Sequence, residues 1–163
     1  MDAFSAVKLF AFDIDGTLTD GTTTWLGPEI GWTQTYSVRD GESLLRMVRE
    51  GIRVVPLSRN KTLCARVRIE LLGLPMRWLG VSDKPAALRE ILAEYDTAPE
   101  HVGFVGDGID DVPILQAVGC GCAVADAHPA ARAAAKYVTA APGGRHAVEE
   151  IALKIFAGRG GQS

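Results

Sequence analysis

The chain has 163 residues, of which 47% are hydrophobic and 23% are charged, and its formal net charge is −3. This length and composition are typical of one compact globular domain and exclude a chain that is disordered throughout. The negative charge offers no basic field for a polyanion, so we expect no nucleic-acid partner. No apolar run approaches the ~18 residues of a membrane span, so we expect no membrane partner either.

Three cysteines are present, and their irregular spacing fits neither a disulfide framework nor a zinc site. Cys120 and Cys122 flank a glycine and could form a redox pair, but two small buried residues of a strand explain the pattern better. The first 15 residues lack the charge and apolar pattern of a signal peptide. We therefore expect a cytoplasmic location, where thiols stay reduced.

Short apolar runs alternate with helical segments along the chain. Buried strands are predicted over residues 7–12, 52–57, 76–79, 102–105, 120–125 and 137–139. Helices are predicted over residues 41–50, 63–72, 85–95, 112–117, 129–135 and 147–156, with Asp40 as the cap of the first. This alternation predicts an α/β fold, a doubly wound, Rossmann-like parallel sheet with helices on both faces. In such a sheet, ligands bind at the carboxyl ends of the strands.

One segment after the first strand departs from this alternation. Residues 20–36, rich in Thr, Gly and Trp, predict a β-hairpin with a turn at Gly27 and Pro28. No linker or repeat divides the chain, so we expect residues 1–163 to form one domain. The glycine-rich residues 158–163 predict a flexible tail.

Two carboxylates follow the first predicted strand, at Asp13 and Asp15, and the chain can turn at Gly16. Alternation along a strand places residues two apart on the same face. Two close carboxylates repel each other unless one is protonated or a cation lies between them. A hard divalent cation with oxygen ligands, Mg²⁺, is the natural partner, although a polar strand end with helix caps is the simpler alternative.

A second acidic cluster, Asp107, Asp110 and Asp111, follows the strand predicted over residues 102–105. Three carboxylates within five residues would destabilise one another without a cation. The spacing is not that of an EF-hand, so a calcium loop is not expected. A cluster of caps before the next helix remains the structural alternative.

Ser58 and Lys84 are weak signals by themselves. Ser58 follows the second predicted strand and could hydrogen-bond a phosphate oxygen, whereas Lys84 precedes a helix and could neutralise a phosphate as a point charge. A lone serine is more often a cap, and a lone lysine is more often a surface residue. Position strengthens both, because all four features fall at the ends of successive predicted strands.

The order of these motifs along the chain resembles that of the haloacid dehalogenase-like phosphohydrolases: Asp-x-Asp-Gly-Thr, then Ser, then Lys, then Gly-Asp-x-x-x-Asp. Residues 12–21, 37–41, 123–129 and 143–145 are similar to the capless branch that acts on 3-deoxy-D-manno-octulosonate 8-phosphate and related nonulosonate 9-phosphates. The resemblance spans most of the chain, from Lys8 to about Phe156. It implies a magnesium-dependent phosphatase whose substrate is a small phosphate ester.

The resemblance also implies roles for individual residues. Asp13 would be the nucleophile that becomes an aspartyl-phosphate, and Asp15 would be the general acid and base. The catalytic set would be Asp13, Asp15, Ser58 and Lys84. Mg²⁺ would be held by Asp13, Asp107 and the backbone carbonyl of Asp15, and by Asp111 either directly or through water. The substrate would contact Asp15, Ser37, Val38, Arg39, Asp40, Gly41, Arg68, Lys84 and Arg145, although a salt bridge is the better interpretation of Arg68.

The short intervals between the motifs leave no room for a cap domain. In the resembled branch the hairpins of four subunits meet, so the resemblance implies a homotetramer in which a neighbour helps to cover the site. A hairpin folded onto its own domain is the alternative.

Some positions differ from the pattern of the branch, among them Arg59, Asn60, His146 and Glu149. These differences affect sugar-reading positions and leave two alternatives open. The first is a phosphatase acting on another ester such as phenyl phosphate, and the second is a non-catalytic oligomeric subunit.

Overall fold

The computed structural model describes residues 2–160, which contain a five-stranded parallel sheet and a two-stranded antiparallel sheet. The strands are β1 (Leu9–Phe12), β2 (Thr24–Trp25), β3 (Trp32–Thr33), β4 (Arg53–Pro56), β5 (Val102–Gly106), β6 (Cys120–Ala123) and β7 (Tyr137–Val138). The parallel sheet has the order β4-β1-β5-β6-β7. Every residue of β1, β5 and β6 is buried, as expected when both faces of a parallel sheet are covered.

Six α-helices cover this sheet within residues 2–160. They are α1 (Val38–Arg49), α2 (Leu63–Leu71), α3 (Lys84–Glu94), α4 (Val112–Ala117), α5 (Pro129–Ala134) and α6 (Ala147–Gly160). Helix α1 packs along α6, whereas α4 contacts both α3 and α5. None of the helices in this part of the chain is long and apolar enough to cross a bilayer.

The strand order creates a switch point at β1. The chain passes from β1 to β4 on one side, then returns to β5 on the other side of β1. In a doubly wound sheet the crevice at such a point, outside the carboxyl ends of the strands, is where ligands bind. Residues that directly follow β1, β4 and β5 are therefore brought together.

The strand predicted over residues 76–79 is absent, and this prediction is wrong. The segment is a turn joined to the sheet by a single parallel bridge between Leu79 and Ser58. The amide of Leu57 donates to β1, so the backbone nitrogen of Pro56 faces the outer side of β4. Proline has no N–H to donate there, and a further strand cannot extend along β4.

Many element boundaries differ from prediction by one or two residues, and three differ by more. Helix α1 begins at Val38 rather than residue 41, because the side chain of Ser37 accepts a hydrogen bond from the amide of Asp40 and caps the helix. The paired part of the hairpin is limited to β2 and β3, joined by a loop that is closed by a hydrogen bond from the amide of Gly31 to the carbonyl of Gly27. Helix α6 continues through Gly160, into the segment predicted as a tail, and residues 161–163 lie outside the described part of the chain.

Candidate active site

The predicted catalytic residues converge on one cavity at the carboxyl ends of the parallel strands. Asp13 directly follows β1, Ser58 follows β4 by two residues, Asp107 directly follows β5, and Lys84 begins α3. The cavity has a volume of about 720 Å³. Its lining consists of Asp13, Asp15, Ser58, Arg59, Lys84, Asp107, Gly108, Ile109, Asp110, Asp111 and His128. The structure therefore brings together the acidic side chains, Ser58 and Lys84, all of which the sequence places at the ends of predicted strands.

Lys84 is the buried cation of this cavity and bridges two carboxylates. Its Nζ lies 2.6 Å from Asp111 Oδ1 and 3.2 Å from Asp13 Oδ1. The side chain of Lys84 is only 4% exposed, so its charge is poorly screened by water. Burial opposes the ammonium form, but the two carboxylates outweigh that effect and raise the pKa of Lys84. Lys84 therefore remains a cation at the base of the cavity.

Two carboxyl groups of the cluster have pKa values near neutrality. Burial raises the pKa of Asp13 to about 6, against the lowering effect of the Lys84 ammonium. Burial, followed by the charges of Asp13 and Asp111, raises the pKa of Asp107 to about 7. The site thus holds more negative charge than Lys84 neutralises, and it favours a further cation.

The acidic cluster fits a divalent cation such as Mg²⁺. Asp13, Asp107 and Asp111 each offer a carboxylate oxygen, and these oxygens lie within 4.8 Å of one another. A hard cation takes oxygen ligands of this type, and the oxygens around an octahedral Mg²⁺ at about 2.1 Å lie about 3 to 4.2 Å apart, which falls inside this limit. Asp111 is already engaged, because its Oδ1 accepts from Lys84 and its Oδ2 accepts from the amides of Asp107 and Gly108, each at 3.0 Å. Asp13 and Asp107 are therefore the carboxylates best placed to bind a metal directly.

Gly16 allows the loop after β1 to approach Asp107. The φ angle of Gly16 is +74°, a conformation that side chains rarely adopt, and a Cβ there would lie 2.1 Å from Asp107 Oδ2. The loop is held from the other side by Gly144, whose amide donates to the carbonyl of Thr17 at 2.8 Å. Glycine at position 16 is thus required by both backbone angle and space.

Asp15 lines the same cavity, and two side chains that sequence reasoning did not select contact it. Asn60 Nδ2 donates to Asp15 Oδ1 at 2.8 Å, and Gln34 Nε2 donates to the same oxygen. The position of Asn60, two residues after Ser58 at a strand end, is a signal that could have identified it. Gln34 has no such signal, because it reaches the site only through the fold of the hairpin segment.

A salt bridge between Arg59 and Asp110 lies at the rim of the cavity. Arg59 Nη1 contacts Asp110 Oδ2, and both side chains are more than half exposed. His128 also lines the cavity, and its backbone amide donates to the carbonyl of Asp107 at 2.7 Å. The sequence named Asp110 only as a member of the second acidic cluster, and it assigned neither Arg59 nor His128 to the site.

Four of the predicted substrate contacts line a second cavity of about 520 Å³, namely Ser37, Val38, Arg39 and Arg145. Arg39 is already paired there, since its Nη2 lies 2.8 Å from a carboxylate oxygen of Glu149. Within the described chain, no residue lines both this second cavity and the catalytic cavity.

Asp40, Gly41 and Arg68 line neither of these two cavities and have structural contacts. Asp40 is fully buried and accepts from the backbone amides of residues 146 and 149 at 3.2 and 3.0 Å, which caps the start of α6. Burial raises the pKa of Asp40. Gly41 lies beside Arg68, whose Nη2 donates to the carbonyl of Ser37 at 3.3 Å. Arg68 therefore supports the start of α1.

The sequence model of the family of haloacid dehalogenase-like hydrolases matches residues 80–149 of this chain. The 3-deoxy-D-manno-octulosonate 8-phosphate phosphatase of Escherichia coli K12 is 34% identical over 154 residues, which cover 94% of this chain and 81% of that protein. The chain belongs to the haloacid dehalogenase-like hydrolases. It is a phosphatase, and its cofactor is Mg²⁺, as the acidic cluster indicates.

Solved structures agree with this assignment. The 3-deoxy-D-manno-octulosonate 8-phosphate phosphatase of Yersinia pestis superposes with a TM-score of 0.92 at 32% identity, covering 97% of this chain and 85% of that one. The corresponding enzyme of Moraxella catarrhalis, solved with a magnesium ion, phosphate and 3-deoxy-D-manno-octulosonate, has a TM-score of 0.90 at 27% identity, covering 97% and 90% of the two chains. The predicted fold is confirmed, with its hairpin and with no cap domain among residues 2–160.

Proposed function

We propose that the chain hydrolyses the phosphate ester of a 3-deoxy-2-ulosonate, with 3-deoxy-D-manno-octulosonate 8-phosphate as the first candidate. The observation that carries this proposal is the convergence of Asp13, Asp107, Asp111 and Lys84 in one cavity, in a chain similar to phosphatases of that ester. Phosphoryl transfer depends chiefly on positioning and on cancelling negative charge, and this cavity offers both.

Asp13 is the nucleophile of the proposed reaction. One of its carboxylate oxygens attacks phosphorus, the bond between phosphorus and the leaving oxygen breaks, and an aspartyl-phosphate forms. Asp15 gives its proton to the leaving oxygen, then takes a proton from the water that hydrolyses the intermediate, releasing inorganic phosphate. Ser58 and Lys84 bind the transferring phosphoryl oxygens.

Asp13 and Asp107, with the backbone carbonyl of Asp15, would hold Mg²⁺. Asp111 supports the site by orienting Lys84 and the amides of Asp107 and Gly108. When bound, Mg²⁺ neutralises the charge of the carboxylates and of the phosphoryl group.

One observation favours a second candidate, an aryl phosphate such as phenyl phosphate. The guanidinium of Arg39, a proposed contact for the carboxylate or phosphate of the substrate, is already neutralised by Glu149. A sugar acid would have to displace Glu149 to use Arg39, whereas an uncharged aromatic ring would not.

A substrate panel tests these candidates. Hydrolysis of octulosonate 8-phosphate, a nonulosonate 9-phosphate, phenyl phosphate and p-nitrophenyl phosphate is measured with Mg²⁺, with EDTA, and with Asp13→Asn. Activity that requires Mg²⁺ and Asp13, with kcat/KM highest on a sugar acid phosphate, supports the first candidate. Highest kcat/KM on phenyl phosphate supports the second, and no turnover by correctly folded protein favours a non-catalytic subunit.

We also propose a homotetramer formed through the hairpins, in a cytoplasmic protein. Trp25 and Trp32 face each other across β2 and β3 with ring centroids 5.3 Å apart, yet they are 51% and 59% exposed. A two-stranded hairpin alone is marginally stable, and exposed tryptophans favour burial against another copy. Three free cysteines suit a reducing compartment.

A further inference from the structure

Asp15 has one carboxylate oxygen that is fully engaged by amide groups. Its Oδ1 accepts a hydrogen bond from Asn60 Nδ2 at 2.8 Å and a second from Gln34 Nε2. The other oxygen, Oδ2, accepts no hydrogen bond from any residue between 2 and 160. The two oxygens of Asp15 are therefore in different environments.

The orientation of the Asn60 amide is fixed by its other contacts. Asn60 Oδ1 accepts from the backbone amide of Thr62 at 2.9 Å and from its hydroxyl at 2.8 Å, and a backbone N–H can only donate. Nδ2 must then face Asp15, and its second N–H points to Gln34 Oε1 at 3.2 Å. Asn60 is buried, and all four of its side-chain hydrogen-bonding positions are used.

The orientation of Gln34 follows in the same way. Its Oε1 accepts from Asn60 and from the hydroxyl of Tyr36 at 3.1 Å, which leaves its Nε2 to face Asp15. Gln34 directly follows β3 of the hairpin, whereas Asn60 follows β4 and precedes α2. The hairpin segment is thus connected to Asp15 through hydrogen bonds between side chains.

We propose that Asn60 and Gln34 are positioning residues that keep the acidic proton of Asp15 on Oδ2. A proton on Oδ1 would face two amide N–H groups that cannot accept it, so Oδ2 is the oxygen that carries it. That proton passes to the leaving oxygen as its bond to phosphorus breaks, and the remaining carboxylate keeps both amide hydrogen bonds at Oδ1. This inference rests on the proposed role of Asp15 as the general acid.

The inference predicts an effect that depends on the leaving group. An alkoxide is a poor leaving group and needs a proton from a well-placed acid, whereas p-nitrophenolate leaves without one. Loss of either amide should therefore slow the cleavage of alkyl phosphates far more than that of p-nitrophenyl phosphate. A merely structural role would lower both rates by the same factor. The parameter to compare is kcat/KM, because it covers the steps up to departure of the leaving group.

The experiment uses Gln34→Met, which keeps the size of the side chain and removes both its donor and its acceptor. Asn60→Ser is a second variant, and Asp15→Asn tests the acid itself. Gln116→Met is the matched control, since Gln116 is an exposed residue of α4. Each protein is assayed with p-nitrophenyl phosphate and with the primary alkyl phosphate of the substrate panel that the wild type hydrolyses best. Circular dichroism confirms folding, and Gln34→Met alone decides the result if Asn60→Ser does not fold.

We expect kcat/KM for the alkyl phosphate to fall at least about tenfold in Gln34→Met and Asn60→Ser, and kcat/KM for p-nitrophenyl phosphate to fall less than about threefold. Gln116→Met should match the wild type with both esters. Equal losses with the two esters, or no loss with either, would overturn the inference. If Asp15→Asn loses kcat/KM equally with alkyl and aryl esters, the proposed role of Asp15 fails. If Asp15→Asn loses more with alkyl esters but Gln34→Met and Asn60→Ser do not, only the inference about the two amides fails.

Discussion

Mg²⁺ binding should weaken steeply as pH falls below neutrality, because protons compete for the carboxylates that hold the metal. The pKa is about 6 for Asp13 and about 7 for Asp107. If the pair loses its two protons in successive steps near pH 6 and pH 7, the fraction of protein with both groups ionised is about 0.9 at pH 8 and about 0.05 at pH 6. The apparent Kd for Mg²⁺ should therefore rise about 20-fold over these two units.

The assay is a Mg²⁺ titration by calorimetry at pH 6, 7 and 8. Asp107→Asn should weaken binding at every pH and leave only the titration of Asp13, which changes affinity about twofold over the same range. Glu70→Gln, an acid-to-amide change at an exposed position, should match the wild type. A wild-type Kd that changes less than threefold between pH 6 and pH 8 would refute this reasoning.

The same pKa shifts predict how the metal-free protein responds to pH. Asp13 and Asp107 have higher pKa values in the folded state than the ordinary 3.8, so the folded protein binds more protons than the unfolded chain between about pH 4 and pH 7. The free energy of unfolding should therefore fall as pH rises through this window, and saturating Mg²⁺ should reduce that loss. Denaturant unfolding across this pH range, once with EDTA and once with Mg²⁺, measures the fall in the free energy of unfolding and the effect of the metal on it. A free energy of unfolding that rises with pH in EDTA would contradict the argument.

Three substitutions test other parts of the account. Gly16→Ala should abolish Mg²⁺-dependent activity, because the new Cβ would lie 2.1 Å from Asp107 Oδ2. The control Gly51→Ala has a similar φ and no atom within 4 Å of the new Cβ, so it should lower only stability, by about 1 kcal/mol. Equal activities of the two variants would contradict the steric argument. Lys84→Met should lower kcat/KM about 10²-fold or more and destabilise the fold, because it leaves two buried carboxylates without their cation. Kinetics and denaturant unfolding measure the two effects, and near-normal turnover would exclude Lys84 from catalysis. Trp25→Ser should convert the proposed tetramer to smaller species on a sizing column, and an unchanged elution volume would place the interface elsewhere.

The meeting of the proposed catalytic and metal-binding residues in one cavity was predictable because it depends on local patterns. Asp13 and Asp107 each follow a short apolar run, and parallel strands bring their carboxyl ends to one edge. The start of α1 was misplaced because Asp40 is a strong capping residue that the fold uses for α6, while Ser37 caps α1. The choice between two capping residues is made by tertiary packing, which a local pattern does not contain.

The contacts around Asp15 could not be derived in the same way. Gln34 reaches Asp15 only because the hairpin segment folds back against the start of α2, which is a long-range arrangement. The predicted substrate residues are a comparable case. The sequence places Arg39 near a motif, but only the structure shows that Glu149 of α6 pairs with it.

The central claim is that Asp13 and Asp107 hold a divalent cation beside the nucleophile. Its most direct test is a crystal structure of the protein soaked in Mn²⁺, with anomalous scattering used to locate the metal. The account predicts a peak within about 2.3 Å of a carboxylate oxygen of each residue. Side chains of Asp13 and Asp107 that point apart at saturating Mn²⁺, with no peak between them, would contradict it.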